Sequence, residues 1–215
     1  MDPARSVTMS GRAQGETVVP LRTTSGKVAP VTHIRSTLVA SSVQTLRARG
    51  LFDEYLGKLP KEMHATVLDA VAGSWMPLAV GMAHYAAADA IGLSSLEQFS
   101  NGRLVAERVQ NTMLGTLVRA AKNIGVTPWM GLEQFQRMWD RVLLGGSGAV
   151  YRLGPKEARV EAHGNPLVKW AYFRNSWRGM FAGSGELFCK KLYATEVAAP
   201  APTSHSPFVL RISWA

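Results

Sequence analysis

Between residue 36 and about residue 145 the apolar positions of this chain recur every three or four residues, and after residue 149 the period shortens toward two. The first stretch is read as a run of helices. Ser36 is expected to cap a helix running to about Arg49, with Gly50 as its C-terminal stop. Helical segments follow at Leu51 to Leu59 and Lys61 to Ala72, split by Pro60. Ser74-Trp75-Met76-Pro77 is expected to open another, with Ser as the cap and Pro in the first turn, ending near Gly92. Ser94 and Glu97 stand at capping-box spacing. Beyond Gly102, Val105, Val109, Met113, Leu114, Leu117 and Ala121 form an apolar stripe that predicts a long central helix. Thr127-Pro128 starts the last of the series. In it Trp129, Leu132, Phe135, Met138, Trp139 and Val142 repeat at three and four, and the glycine-rich run 145–148 closes the helical region.

Val150 to Leu153 and Arg159 to His163 read as strands joined around Gly154-Pro155, and Asn165-Pro166 as a turn. Residues 171–191 look helical, with Phe173, Trp177, Met180, Phe181, Leu187 and Leu192 on one side. Tyr193 to Ala198 and Phe208 to Trp214 complete the strands, around a loop carrying Pro200, Pro202 and Pro207. Helices followed by strands with one long helix inserted define an α+β class. The expected architecture is an N-terminal helical half, 36–148, packed on a small C-terminal antiparallel sheet with an inserted helix, 149–215, together one domain. Residues 1–35, rich in Ser, Thr, Gly and Pro, read as a basic arm with room for one short strand near Val18-Val19-Pro20-Leu21.

A chain of 215 residues, 47% hydrophobic, can bury a full core. Its longest apolar passages, such as Trp75 to Ala88, fall short of the roughly 18 residues of a spanning helix, so no membrane span is expected. The N-terminus lacks the apolar core of a secretory signal, and a cytoplasmic location is expected. The formal charge of +9 is unevenly spread: Lys and Arg against Asp and Glu number 5 to 2 in residues 1–36, 10 to 9 in 37–149 and 9 to 4 in 150–215. The excess in the arm and the C-terminal part can attract phosphates, anionic lipid or an acidic partner.

Reaction chemistry finds little support. The single Cys189 excludes an intrachain disulfide and a multi-thiolate metal site, and it reads as a small buried hydrophobe. The histidines, at 33, 64, 84, 163 and 205, show no pair at the spacing of a helix-borne metal site, so no metal is expected. His84, between Met82 and Tyr85 on an apolar helix, reads first as a buried histidine with a partner and second as a ligand-binding group. Ser147 and Ser184 lie between glycines without the Gly-x-Ser-x-Gly spacing of a nucleophile elbow. Gly179, Gly183 and Gly185 allow close approach of the helix to the sheet or to a ligand, and close packing is the preferred reading. With no carboxylate pair, triad or phosphate loop, no catalytic residue is assigned and the reading leans against an enzyme.

Arg174 and Arg178, four apart with Trp170 and Trp177 nearby, read either as an anion-binding edge or as structural arginines. Ser74-Trp75-Met76-Pro77, Tyr172-Phe173-Arg174 with Arg178-Gly179, and the terminal Arg211-Ile212-Ser213-Trp214 resemble an uncharacterised paralogous family abundant in myxobacteria. That family is in turn distantly similar to the superfamily of heme nitric oxide/oxygen-binding domains, 4-vinyl reductase domains and transport-particle subunits. The resemblance covers about residues 37–215. It implies helices on a small sheet, often a dimer, with an apolar pocket for a small molecule, a lipid chain or nothing. Heme-binding relatives use a Tyr-x-Ser-x-Arg motif and a His on a helix shortly before the sheet. Here Ser176 and Arg178 remain, Arg174 stands at the Tyr position, and the helix at 128–144 has no His, so heme is not expected.

Two functions remain. One is a ligand-binding or sensory module taking a small hydrophobic molecule or acyl chain, with Arg174, Ser176, Trp177, Arg178, Trp75 and His84 as candidate binding residues. The other is an interaction protein with a filled core, docking a protein or, as a minor alternative, a nucleic acid through its basic arm. A homodimer is expected in either case.

Overall fold

Alternation is strict in the last strand, β8 (Phe208–Trp214), where Phe208, Leu210, Ile212 and Trp214 are buried and the residues between them face outward. It is the inner partner of β7 (Leu192–Glu196) and of β6 (Glu157–His163), which pairs with β5 (Ser147–Gly154). With β1 (Glu16–Val19) at the far edge, the antiparallel order is β1-β5-β6-β8-β7. Val150, Val160 and Leu210 lie in register across the inner face. The computed structural model from which this is drawn describes residues 15–113, 127–197 and 207–215. Among the described residues there are eight α-helices and two antiparallel sheets, the α+β class expected.

The helices are α1 (Ser36–Ala48), α2 (Phe52–Lys58), α3 (His64–Leu68), α4 (Leu78–Asp89), α5 (Ser95–Met113), α6 (Pro128–Glu133), α7 (Phe135–Val142) and α8 (Ala171–Gly185). Helix α8 is the one inserted between β6 and β7. It lies against α5 with almost nothing between the backbones: a Cβ on Gly102 would come 1.9 Å from the Ser176 carbonyl oxygen, and one on Gly179 would come 2.0 Å from that of Phe99. The glycines of α8 thus serve close packing, but Gly179 and Gly183 meet the helix α5 rather than the sheet. Gly185 instead makes room for Leu192 at the start of β7.

Several elements differ from the sequence reading. Trp75-Met76-Pro77 is a strand, β3, not the first turn of a helix, because Met76 pairs with Ile34 in a second sheet of order β3-β2-β4. Its other members are β2 (His33–Arg35) and β4 (Leu143–Leu144). Ser36 does not cap α1: its hydroxyl donates to the Val71 carbonyl and accepts from the Ser74 amide. The segment from Lys61 shortens to a 3-10 turn and the five residues of α3. The helix after Thr127 breaks at Gln134 into α6 and α7, and α8 stops at Gly185 rather than 191. The capping box holds, with the Ser94 amide donating to Glu97 Oε2 at 2.9 Å and the Glu97 amide to Ser94 Oγ at 3.3 Å. The part of the apolar stripe at Leu114, Leu117 and Ala121 lies outside the described residues. Residues 15–35 are built into both sheets through β1 and β2.

Candidate functional site

Two helices that rest on the large sheet, α7 and α8, turn the same spacing of side chains toward each other. From α7 come Phe135, Met138, Trp139 and Val142, and from α8 come Trp177, Met180, Phe181 and Ser184. Each set falls at i, i+3, i+4 and i+7, one stripe of a helix. Between them is a crevice of about 100 Å³. Its floor is aromatic: Trp139 meets Trp177 at 5.6 Å between ring centroids, and Phe135 meets Phe181 at 5.5 Å. Phe135, Trp139 and Trp177 are buried, while Met138 is 38% exposed at the mouth. None of the lining residues carries a charge, and Ser184 supplies the one hydroxyl.

Local sequence fixes both walls. Gly148 of β5 leaves the space that the Phe135 ring fills, since a Cβ there would come 2.1 Å from the ring. Gln136 accepts hydrogen bonds from the Gly148 amide at 2.7 Å and the Ser147 hydroxyl at 3.1 Å, tying α7 to the sheet. The Trp139 indole N–H donates to the Gly145 carbonyl at 2.8 Å. On α8, Asn175 donates to the Gln98 side chain at 2.7 Å and Ser176 to the Gln98 carbonyl at 3.2 Å, fixing that helix to α5.

Of the six residues singled out from sequence, Trp177 alone lines the crevice. Arg174 donates to the Val168 and Lys169 carbonyls and pairs with Glu196 of β7 at 3.0 Å. Arg178 donates to the Ala194 carbonyl on β7 at 3.1 Å and to Asn175 at 2.9 Å. Trp75 lies in the second sheet beneath the Arg35 guanidinium, 3.7 Å from the ring centroid. His84 is fully buried on α4 among Tyr55, Tyr85 and Tyr172, with the Tyr55 hydroxyl 2.9 Å from Nδ1. Burial lowers its pKa to about 3, so the ring is neutral, and it raises the tyrosine hydroxyls above their ordinary range. A continuous set of ring contacts leads from His84 through Tyr85, Phe173 and Trp177 to the crevice floor. Cys189 is half-buried, its thiol donating to the Gly185 carbonyl, and burial raises its pKa. Sequence reasoning found the stripes of α7 and α8 and left open whether they fill a core or wall a pocket. It did not place them opposite each other, although their matching periods carried that signal.

No protein-family model and no curated protein matches the chain. Solved structures match its fold. An H-NOX domain studied for the function of heme distortion aligns with a TM-score of 0.58 at 14% identity, over 83% of this chain and 94% of that one. A mutant H-NOX of T. tengcongensis aligns at 0.57 and 14%, over 83% and 96%. An oxygen-binding H-NOX domain related to soluble guanylate cyclases, in its oxygen complex, aligns at 0.54 and 14%, over 83% and 94%. The chain therefore shares the fold of these H-NOX domains, the fold that the resemblance implied.

The expectation against heme is corrected by these structures. It rested on a missing histidine and a broken motif, yet the fold is one whose solved members are described through heme and oxygen binding. A histidine is also not the only protein ligand to heme iron, since thioether, thiolate and phenolate serve elsewhere. Of the residues lining the crevice, Met138 and Met180 are the ones whose side chains carry an atom type able to ligate heme iron, the thioether sulfur. Ser176 and Arg178, the remnant of the motif, are bonded to α5 and β7 as given above. At about 100 Å³, against roughly 300–1,000 Å³ for pockets of drug-sized ligands, the crevice does not fit a porphyrin in this conformation. Seating one would require α7 to move off α8. Among the described residues no group of three His, Cys, Asp or Glu could hold a metal ion, and no helix is long and apolar enough to cross a membrane.

Proposed function

We propose that this chain is a non-enzymatic ligand-binding module of sensory type, and that the crevice between α7 and α8 is where it binds a small hydrophobic molecule. The observation that carries this reading is the apolar crevice itself, walled by two helices that are each anchored to a different support. Helix α7 is held to β5 through Gln136, and α8 to α5 and β7 through Asn175, Ser176 and Arg178. An occupant entering between them would alter their separation, and each wall passes that change to a separate element. The H-NOX structures supply the fold analogy, and with it heme as one candidate occupant of an opened crevice.

The test is native mass spectrometry of the protein from its own host, with an absorbance scan of the same sample. A bound mass that is lost on denaturation, and lost also from a Ser184→Leu variant that fills the crevice, is the expected result. A Soret band would identify the occupant as heme. A clean apo mass together with no binding of added apolar probes would overturn the reading. The interaction protein docking through the arm and sheet would then take its place.

A further inference from the structure

Helices α6, α7 and α8 each carry one tryptophan, and two of the three satisfy their indole N–H groups on backbone carbonyls. Trp129 donates to Pro155 and Trp139 to Gly145, each at 2.8 Å. Trp177 does not. Its Nε1 is closed off from water and has no acceptor among the described residues, although the ring is only 5% exposed. A buried donor left without an acceptor is costly, and native structures rarely tolerate one without a reason. Its position gives the reason, because the same ring forms part of the crevice floor beside Trp139 and Phe181.

We infer that the crevice takes an uncharged, compact apolar molecule carrying one hydrogen-bond acceptor, a carbonyl or ether oxygen, which is received by the Trp177 indole N–H. The inference rests on the reading of the crevice as a ligand site and adds the chemical class of its occupant. Size follows from the volume: an apolar protein cavity of about 150 Å³ holds benzene, so about 100 Å³, open at one side, suits a ring of about six non-hydrogen atoms. Charge is excluded because no lining residue is ionised, and an ion would lose its water without a counter-charge. The acceptor is required because the unmatched group on the wall is a donor only. Met138 at the mouth and Met180 beside Trp177 are unbranched and repack readily, and their rotation is the route by which the ligand oxygen reaches Nε1.

The experiment compares cyclohexanone with cyclohexane on the full chain labelled with nitrogen-15. The indole resonance of Trp177 is assigned by its loss in Trp177→Phe. Cyclohexanone is expected to move that resonance downfield on saturation while cyclohexane leaves it nearly in place. In Trp177→Phe, cyclohexanone affinity falls about fivefold further than cyclohexane affinity does. Equal binding of both probes with an unmoved resonance overturns the inference while the crevice stands as a ligand site. So does an upfield, unmoving resonance, which marks an N–H directed at a neighbouring ring. If neither probe binds, the ligand-site reading fails as well. The shift in the parent protein decides the matter even if Trp177→Phe does not fold.

Discussion

Gly179→Ala measures how closely α5 and α8 approach. The added Cβ would come 2.0 Å from the Phe99 carbonyl oxygen, 2.9 Å from its carbon and 3.0 Å from the Arg103 amide nitrogen. An ordinary heavy-atom contact is about 3.5 Å, so the shortest of these is too close by more than 1 Å. All three atoms are backbone, and no side-chain rotation relieves them. The helices must part, and with them the Gly102 contact to Ser176 and the Asn175 and Ser176 bonds to Gln98. Overpacking of this kind costs about 1–3 kcal/mol, a lost buried hydrogen bond about 1 kcal/mol more, and the better helix propensity of Ala returns about 1 kcal/mol. The expected net loss is about 1–3 kcal/mol. Gly57→Ala is the control: it is an exposed helical position with nothing within 4 Å of the added carbon, and should gain about 0.5 kcal/mol. Urea unfolding followed by far-ultraviolet circular dichroism reads both. A Gly179→Ala protein as stable as the parent would refute the close approach of the two helices.

His84 makes stability depend on pH. Its folded pKa, lowered by burial to about 3, lies below the ordinary 6.5 of the unfolded chain, so the unfolded state binds the extra proton between those values. Stability is therefore complete above about pH 6.5 and falls by at most about 1.4 kcal/mol per unit down to about pH 3. Urea midpoints at pH 7 and pH 5 should differ accordingly, and His84→Gln should flatten the difference. Arg178→Ala leaves the Ala194 carbonyl at the edge of β7 without its guanidinium and is expected to cost about 1–2 kcal/mol of stability in the same assay. Arg174→Ala, which removes the donor to the Val168 and Lys169 carbonyls together with the partly buried pair with Glu196, should also cost about 1–2 kcal/mol. If the double variant keeps the parent's stability yet fails to retain a crevice ligand, the two arginines line a ligand entrance after all.

The sequence showed the class of the fold through periodicity, and the glycines of α8 through their spacing. Period alone could not show that Trp75-Met76-Pro77 is a strand, because three residues carry no alternation and the pairing partner, Ile34, lies far away in sequence. Ser74 and Pro77 look like a helix start because a cap and a strand end use the same residues. The site was partly visible for a similar reason. Trp177 drew notice beside its arginines, yet on a helix 174 and 178 share one face while 177, 181 and 184 share another. The arginine face meets β7, and the aromatic face meets a helix placed there only by the fold of β5.

Strand β1 has a consequence for how the chain is made. Glu16 pairs with Arg152 and Thr17 with Tyr151, so the segment that leaves the ribosome early cannot dock until β5 has followed it out. Closing so long a loop carries an entropic cost that only the finished sheet offsets. Once β5 is out and until β6 follows it, the inner edge of β5, with Ala149 and Val150 buried in the finished fold, has no partner strand. A nascent chain stalled between those events would present an open sheet edge to whatever is near, a second nascent copy included.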